Sequence, residues 1–100
     1  MTVSERRKGM RFEQRVARIF REAGLRVERL QQQQGLVCDF IVNDHLYVDT
    51  KKQERLQLPM WLRQARSQAP TGTSPVVVFQ QGGGEAYACL PLDDLVRLAQ

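Results

Sequence analysis

Two aspartates and a lysine stand at positions that strands normally refuse. Asp39 lies inside Val37-Cys38-Asp39-Phe40-Ile41-Val42, and Asp49 with Lys51 lies inside Leu46-Tyr47-Val48-Asp49-Thr50-Lys51. Aspartate is depleted in strands, and lysine to a lesser degree, so these residues call for a chemical reason. Side chains alternate along a strand, which puts Asp49 and Lys51 on one face together with Tyr47. Asn43-Asp44-His45 is turn-forming, and a three-residue turn centred on Asp44 sets Asp39 directly opposite Asp49. Opposed residues on an antiparallel pair have Cβ atoms about 4.5–5.5 Å apart. Two carboxylates that close repel each other unless a cation sits between them. With no nitrogen or sulfur ligand nearby, the all-oxygen donors select Mg²⁺ or Mn²⁺ over zinc. Such an ion fits phosphodiester hydrolysis, where it lowers the pKa of an attacking water and stabilises charge developing on the phosphoryl oxygens. Lys51 is placed to orient the water or neutralise the transition state. Glu13, on the first helix, joins the cluster directly or through a metal-bound water if that helix packs across the hairpin. The alternative is a surface salt bridge between Asp49 and Lys51, with Asp39 starting a turn, if this sheet face is solvated.

The elements that must position these residues are legible as periodicity. Phe12, Val16, Ile19, Phe20 and Ala23 recur at spacings of three and four, which predicts a helix over residues 4–23 ended by Gly24, with Glu13 on the margin of its apolar stripe. A strand over residues 25–30 follows, broken by the polar run 31–35. The hairpin strands are expected over 37–42 and 46–52. A helix over 58–69 carries Leu58, Trp61, Leu62 and Ala65, accepts Pro59 in its first turn, and stops at Pro70 and Gly72. Residues 75–79, a run of valines and phenylalanine, read as a strand buried on both faces. Gly82-Gly83-Gly84 leads into a strand over 85–90, and Pro91 opens a last short helix bearing Leu92, Leu95, Val96 and Leu98. The order is α-β-β-β-α-β-β-α, an α/β fold with a mixed sheet flanked by helices.

One hundred residues suit a single domain, residues 1–100, with one core. Apolar residues make up 42% and charged residues 26%, the balance of a globular chain. No apolar run approaches the roughly 20 residues that span a bilayer, and the N-terminal segment lacks a signal-peptide pattern, so a membrane partner is not expected and a cytoplasmic location is. Cys38 and Cys89 sit in apolar runs as small hydrophobes rather than in a disulfide framework, and the lone His45 in a turn gives zinc little support. The net charge is +4, with five of fifteen cations between Arg6 and Arg15. That excess favours a polyanion, because neutralised phosphates release counterions, although a solvated basic helix face accounts for it equally well. Arg6, Arg7, Lys8, Arg11, Gln34 and Lys52 are the candidates for DNA backbone contacts.

Asp39, a nine-residue spacer and Asp49-Thr50-Lys51, preceded by a helix with a glutamate, resemble the signature of the PD-(D/E)xK nuclease superfamily. Lys8-Gly9-x-x-Phe12-Glu13-x-x-Val16-Ala17, Ala23-Gly24-Leu25 and Gln64-Ala65 extend the likeness to the small Holliday junction resolvases of archaea and phages, over nearly the whole chain. The resemblance implies a restriction-endonuclease-like fold and a homodimeric, Mg²⁺-dependent endonuclease that cuts branched DNA. It implies Asp39 and Asp49 as metal ligands, Glu13 assisting, Lys51 at the water or phosphate, and Gln64 supporting the site. Cys38 stands where the signature has proline, and Asp49 where this group more often has glutamate, which moves the metal by about one methylene. Nuclease action on nicks, flaps or duplexes, or a non-catalytic DNA-binding module of the same fold, are the alternatives. Met60, Trp61 and Leu62 are expected either in a dimer patch or in a core helix.

Overall fold

A computed structural model of the chain describes residues 3–30 and 39–100, apart from the side chains of Val3 and Arg6. The first element is the expected amphipathic helix, α1 (Val3–Glu22). Gly24, at φ 85°, ends it: its N–H bonds to the Arg21 carbonyl at 2.9 Å while the Leu25 N–H reaches the Phe20 carbonyl at 3.1 Å. That pair of bonds satisfies carbonyls the helix leaves open and needs a left-handed residue, which glycine supplies without steric cost.

Three strands follow, β1 (Val27–Arg29), β2 (Asp39–Val42) and β3 (Leu46–Lys52). The turn between β2 and β3 uses Asn43 at φ 50° and Asp44 at φ 61°, and closes with the His45 N–H on the Val42 carbonyl at 3.0 Å. Asn and Asp tolerate this left-handed backbone better than other side chains do. Its three-residue length sets the register: Asp39 pairs with Asp49, Phe40 with Val48, Ile41 with Tyr47 and Val42 with Leu46. Helix α2 (Leu58–Gln68) starts with Pro59 in its first turn, and Ala69 turns extended ahead of Pro70. It crosses over to β4 (Ser74–Gln80), which lies parallel to β3; β5 (Tyr87–Cys89) returns antiparallel to β4, and α3 (Leu92–Ala99) closes the chain. The sheet is mixed, with strand order β1-β2-β3-β4-β5, and the α/β order α-β-β-β-α-β-β-α is the one the periodicity predicts.

Alternation divides the sheet between two helices. On one face Phe40, Val42, Val48, Val76 and Val78 meet Phe12, Val16 and Ala17 of α1. Phe20 sets its ring edge-on to Phe40, 6.1 Å between centroids. On the other face Tyr47, Val77 and Phe79 meet Trp61 and Ala65 of α2, with Ile41, Leu58 and Leu62 alongside. Trp61 and Leu62 therefore serve this core, and Met60 is the exposed member of the trio. Each fully buried aliphatic or aromatic side chain contributes about 1.5–3 kcal/mol, so the two layers hold the central strands rigid under any site built on them. The apolar residues of α3 stay exposed, Leu92 most of all at 72%. Among the described residues, no helix is long and apolar enough to cross a membrane.

Candidate active site

The two aspartates come from adjacent strands and are both buried, each 3% exposed. By alternation they point to the α2 side, the side of Ile41 and Tyr47. Burial first of all pushes the Asp49 carboxyl up to about 7, and the neighbouring Asp39 pushes the same way, against the pull of Lys51. The Lys51 ammonium stands 3.8 Å from Asp49 Oδ2, a loose contact that leaves its protons free to reach a second oxygen. At 23% exposure against 4% for the Asp49 side chain, Lys51 lies on the solvent side of the acids.

Tyr47 holds Asp39 from below. Its hydroxyl donates to Asp39 Oδ2. Burial above all, then that hydrogen bond and the charges of Asp39 and Asp49, raise the phenol well beyond its ordinary pKa, so it stays a donor at every working pH. Gln68 Oε1 of α2 stands 3.1 Å from the same hydroxyl. A phenol has one proton, already given to Asp39, so the Gln68 amide satisfies this contact best with its nitrogen turned inward. Tyr47 and Gln68 were not among the residues singled out from the sequence. Tyr47 had a signal, its position two residues before Asp49 on the same face, whereas Gln68 had none.

Glu13 is not brought to the acids. It is buried on α1 and accepts a 2.6 Å hydrogen bond from Arg29 Nη1. Arg29 pairs with Phe40 and so faces α1, whereas Asp39 and Asp49 face α2. The helix does not pack across the hairpin face that carries the acids, which removes the condition for Glu13 to join them. Among the described residues, no group of three or more His, Cys, Asp or Glu assembles to hold a metal. Gln64 and Gln68 are both exposed on α2, and the one whose side chain reaches the Tyr47 hydroxyl is Gln68, one helical turn later. Arg7, Lys8 and Arg11 are exposed along α1, and Lys52 points to the α1 side, where its ammonium donates to Gln80 Oε1 at 2.7 Å. Gln34, Cys38, the polar run 31–35 and the Arg6 side chain lie outside the described residues.

The chemistry of the donors fits a hard divalent ion. Asp39 and Asp49 supply carboxylate oxygens from rigid strands, and Mg²⁺ is commonly held by only one or two carboxylates, keeping several waters and adding substrate phosphates. An ion held there would cancel the repulsion that burial intensifies. Comparison of the chain with protein-family models, with curated proteins and with solved structures gives no match.

Proposed function

We propose that this protein is a metal-dependent nuclease of the PD-(D/E)xK type that hydrolyses phosphodiesters in branched DNA, acting on four-way junctions as a homodimer. One observation carries the reading: Asp39 and Asp49 are opposed on neighbouring strands, buried, and accompanied by the Lys51 amine on the same face. Asp39 and Asp49 would hold Mg²⁺ or Mn²⁺. When bound, the ion supplies a more acidic attacking water and compensates charge on the phosphoryl oxygens. Tyr47 keeps Asp39 in one orientation through its hydroxyl proton. Lys51, loosely paired with Asp49, meets the attacking water or a phosphate oxygen from the solvent side. Positioning of this kind, on strands clamped between two packed layers, is what a hydrolytic site needs.

A second reading is a non-catalytic DNA-binding module of the same fold, favoured by the engagement of Glu13 with Arg29, which leaves two acids at the site. Incubation of labelled four-way junction, nicked, flapped and plain duplex DNA with Mg²⁺, with EDTA, and with the Asp49→Asn variant separates the two. Cleavage that needs both Mg²⁺ and Asp49 supports the nuclease, and preference for the junction supports a resolvase. Binding without cleavage by the unmodified protein selects the module. The mass of the protein in solution tests the dimer, because a resolvase must hold two such sites at a fixed separation.

A further inference from the structure

On the side of the sheet away from the acids, α1 and the C-terminal ends of β3 and β4 enclose a concavity of about 310 Å³. Its described lining contains five cations and no carboxylate. We propose that this groove, lined by Lys8, Arg11, Arg15, Arg18 and Lys52 around Gln80, binds the sugar–phosphate backbone of a DNA strand.

The helix supplies four cations at spacings of three and four, Lys8, Arg11, Arg15 and Arg18, which places them in one stripe. The sheet supplies Lys52. Two of the five converge on one neutral atom: Gln80 Oε1 accepts from Arg15 Nη2 at 2.8 Å and from the Lys52 ammonium at 2.7 Å. Gln80 is itself buried and is fixed by donating its amide to the Gly84 carbonyl. Lys52 also donates to the Gly82 carbonyl, and the Arg15 guanidinium lies 5.2 Å from the centre of the Phe12 ring. These partners of Arg15 and Lys52 are neutral, so they fix the two cations in place without neutralising them. Like charges held together this way repel, and an anion laid among them relieves the repulsion.

The shape selects a polymer. The ten helical steps from Lys8 to Arg18 extend about 15 Å, which matches about four phosphates of one strand at 3.4 Å per charge along a duplex. Guanidinium forks also grip phosphate in pairs of hydrogen bonds. Lys52 lies three residues beyond Asp49, about 10 Å along the strand, and on the opposite face. The groove deepens the nuclease reading and rests on it for the choice of DNA.

The experiment is fluorescence anisotropy of a labelled DNA duplex in EDTA over a series of salt concentrations, comparing the unmodified protein with the Arg11→Gln/Arg18→Gln double variant. Both residues are exposed, and a circular dichroism melt checks that the variant folds. The expected result is at least a roughly tenfold loss of affinity at fixed salt, with the slope of log K against log salt shallower by about 0.9 for each lost phosphate contact. Unchanged affinity and slope would overturn the groove, as would polyglutamate competing as well as DNA, which would point to an acidic protein instead. Cleavage separates the two proposals. Salt-dependent binding through Arg11 and Arg18 without any cutting keeps the groove and ends the nuclease reading; Asp49-dependent cutting with binding indifferent to these arginines does the opposite.

Discussion

Tyr47 lies diagonally across the β2–β3 hairpin from Asp39 and gives that carboxylate its hydroxyl proton, so the acid is oriented from within the core. A phenol whose pKa is driven up by its burial and by the two neighbouring aspartates does not release that proton. It therefore fixes one Asp39 oxygen. Gln68 ties the same hydroxyl to α2, which couples the position of a helix to the position of an acid.

Tyr47→Phe tests this coupling. The substitution removes the donor while keeping the ring, and a buried acceptor that loses its partner costs about 1–3 kcal/mol, measurable by urea unfolding at an unchanged m value. If Tyr47 orients a metal ligand, the Mg²⁺ concentration for half-maximal cleavage rises about 10- to 100-fold, the range seen for groups that position ligands. A loss of stability with no change in that concentration would reduce Tyr47 to a structural role.

Asp49→Asn should separate stability from activity. It removes a buried charge that repels Asp39, so metal-free protein at pH 8 should melt higher, by on the order of 1–3 kcal/mol of added stability. Cleavage should fall by more than about a hundredfold, beyond the loss for a merely positioning group. Lower stability at pH 8 would mean that the two carboxyls do not oppose each other in the folded chain.

The pH dependence follows from the same pair. Asp49 titrates near 7 when folded, against an ordinary value of 3.8. Between those values the folded state holds the extra proton, so metal-free stability declines as pH rises from about 4, and the full cost is present above about 7. A divalent ion needs the carboxylate ionised and so binds better as pH rises. Thermal melts with EDTA and with Mg²⁺ should therefore differ more at pH 8 than at pH 5. An equal Mg²⁺ shift at both would deny the acids a part in metal binding.

Glu13→Gln addresses the other side of the sheet. Replacing the carboxylate weakens a charge-assisted bond to Arg29 that links α1 to β1, and about 1.5–3 kcal/mol of stability should be lost. The melt of an Arg29→Gln variant should show a similar loss, and the double variant should lose less than the sum because the partners are shared. A hundredfold loss of cleavage in folded Glu13→Gln protein, with little change in stability, would place Glu13 beside the acids after all.

The sequence alone determined the elements and one register. Periods of two and about 3.6 are local properties, and Asn43 and Asp44, by accepting a left-handed turn, set Asp39 across from Asp49 over a stretch of eleven residues. Strand alternation likewise placed Tyr47, Asp49 and Lys51 together. The tertiary structure alone decided which helix covers which face. That choice sent Glu13 to Arg29 instead of to the acids, and selected Gln68 over Gln64 as the glutamine reaching Tyr47. It also drew Arg15 to Gln80 across 65 residues of chain. Helical spacing tells which side chains share a stripe, but the crossing and offset of a helix on its sheet come from packing between distant segments, and no local pattern encodes them.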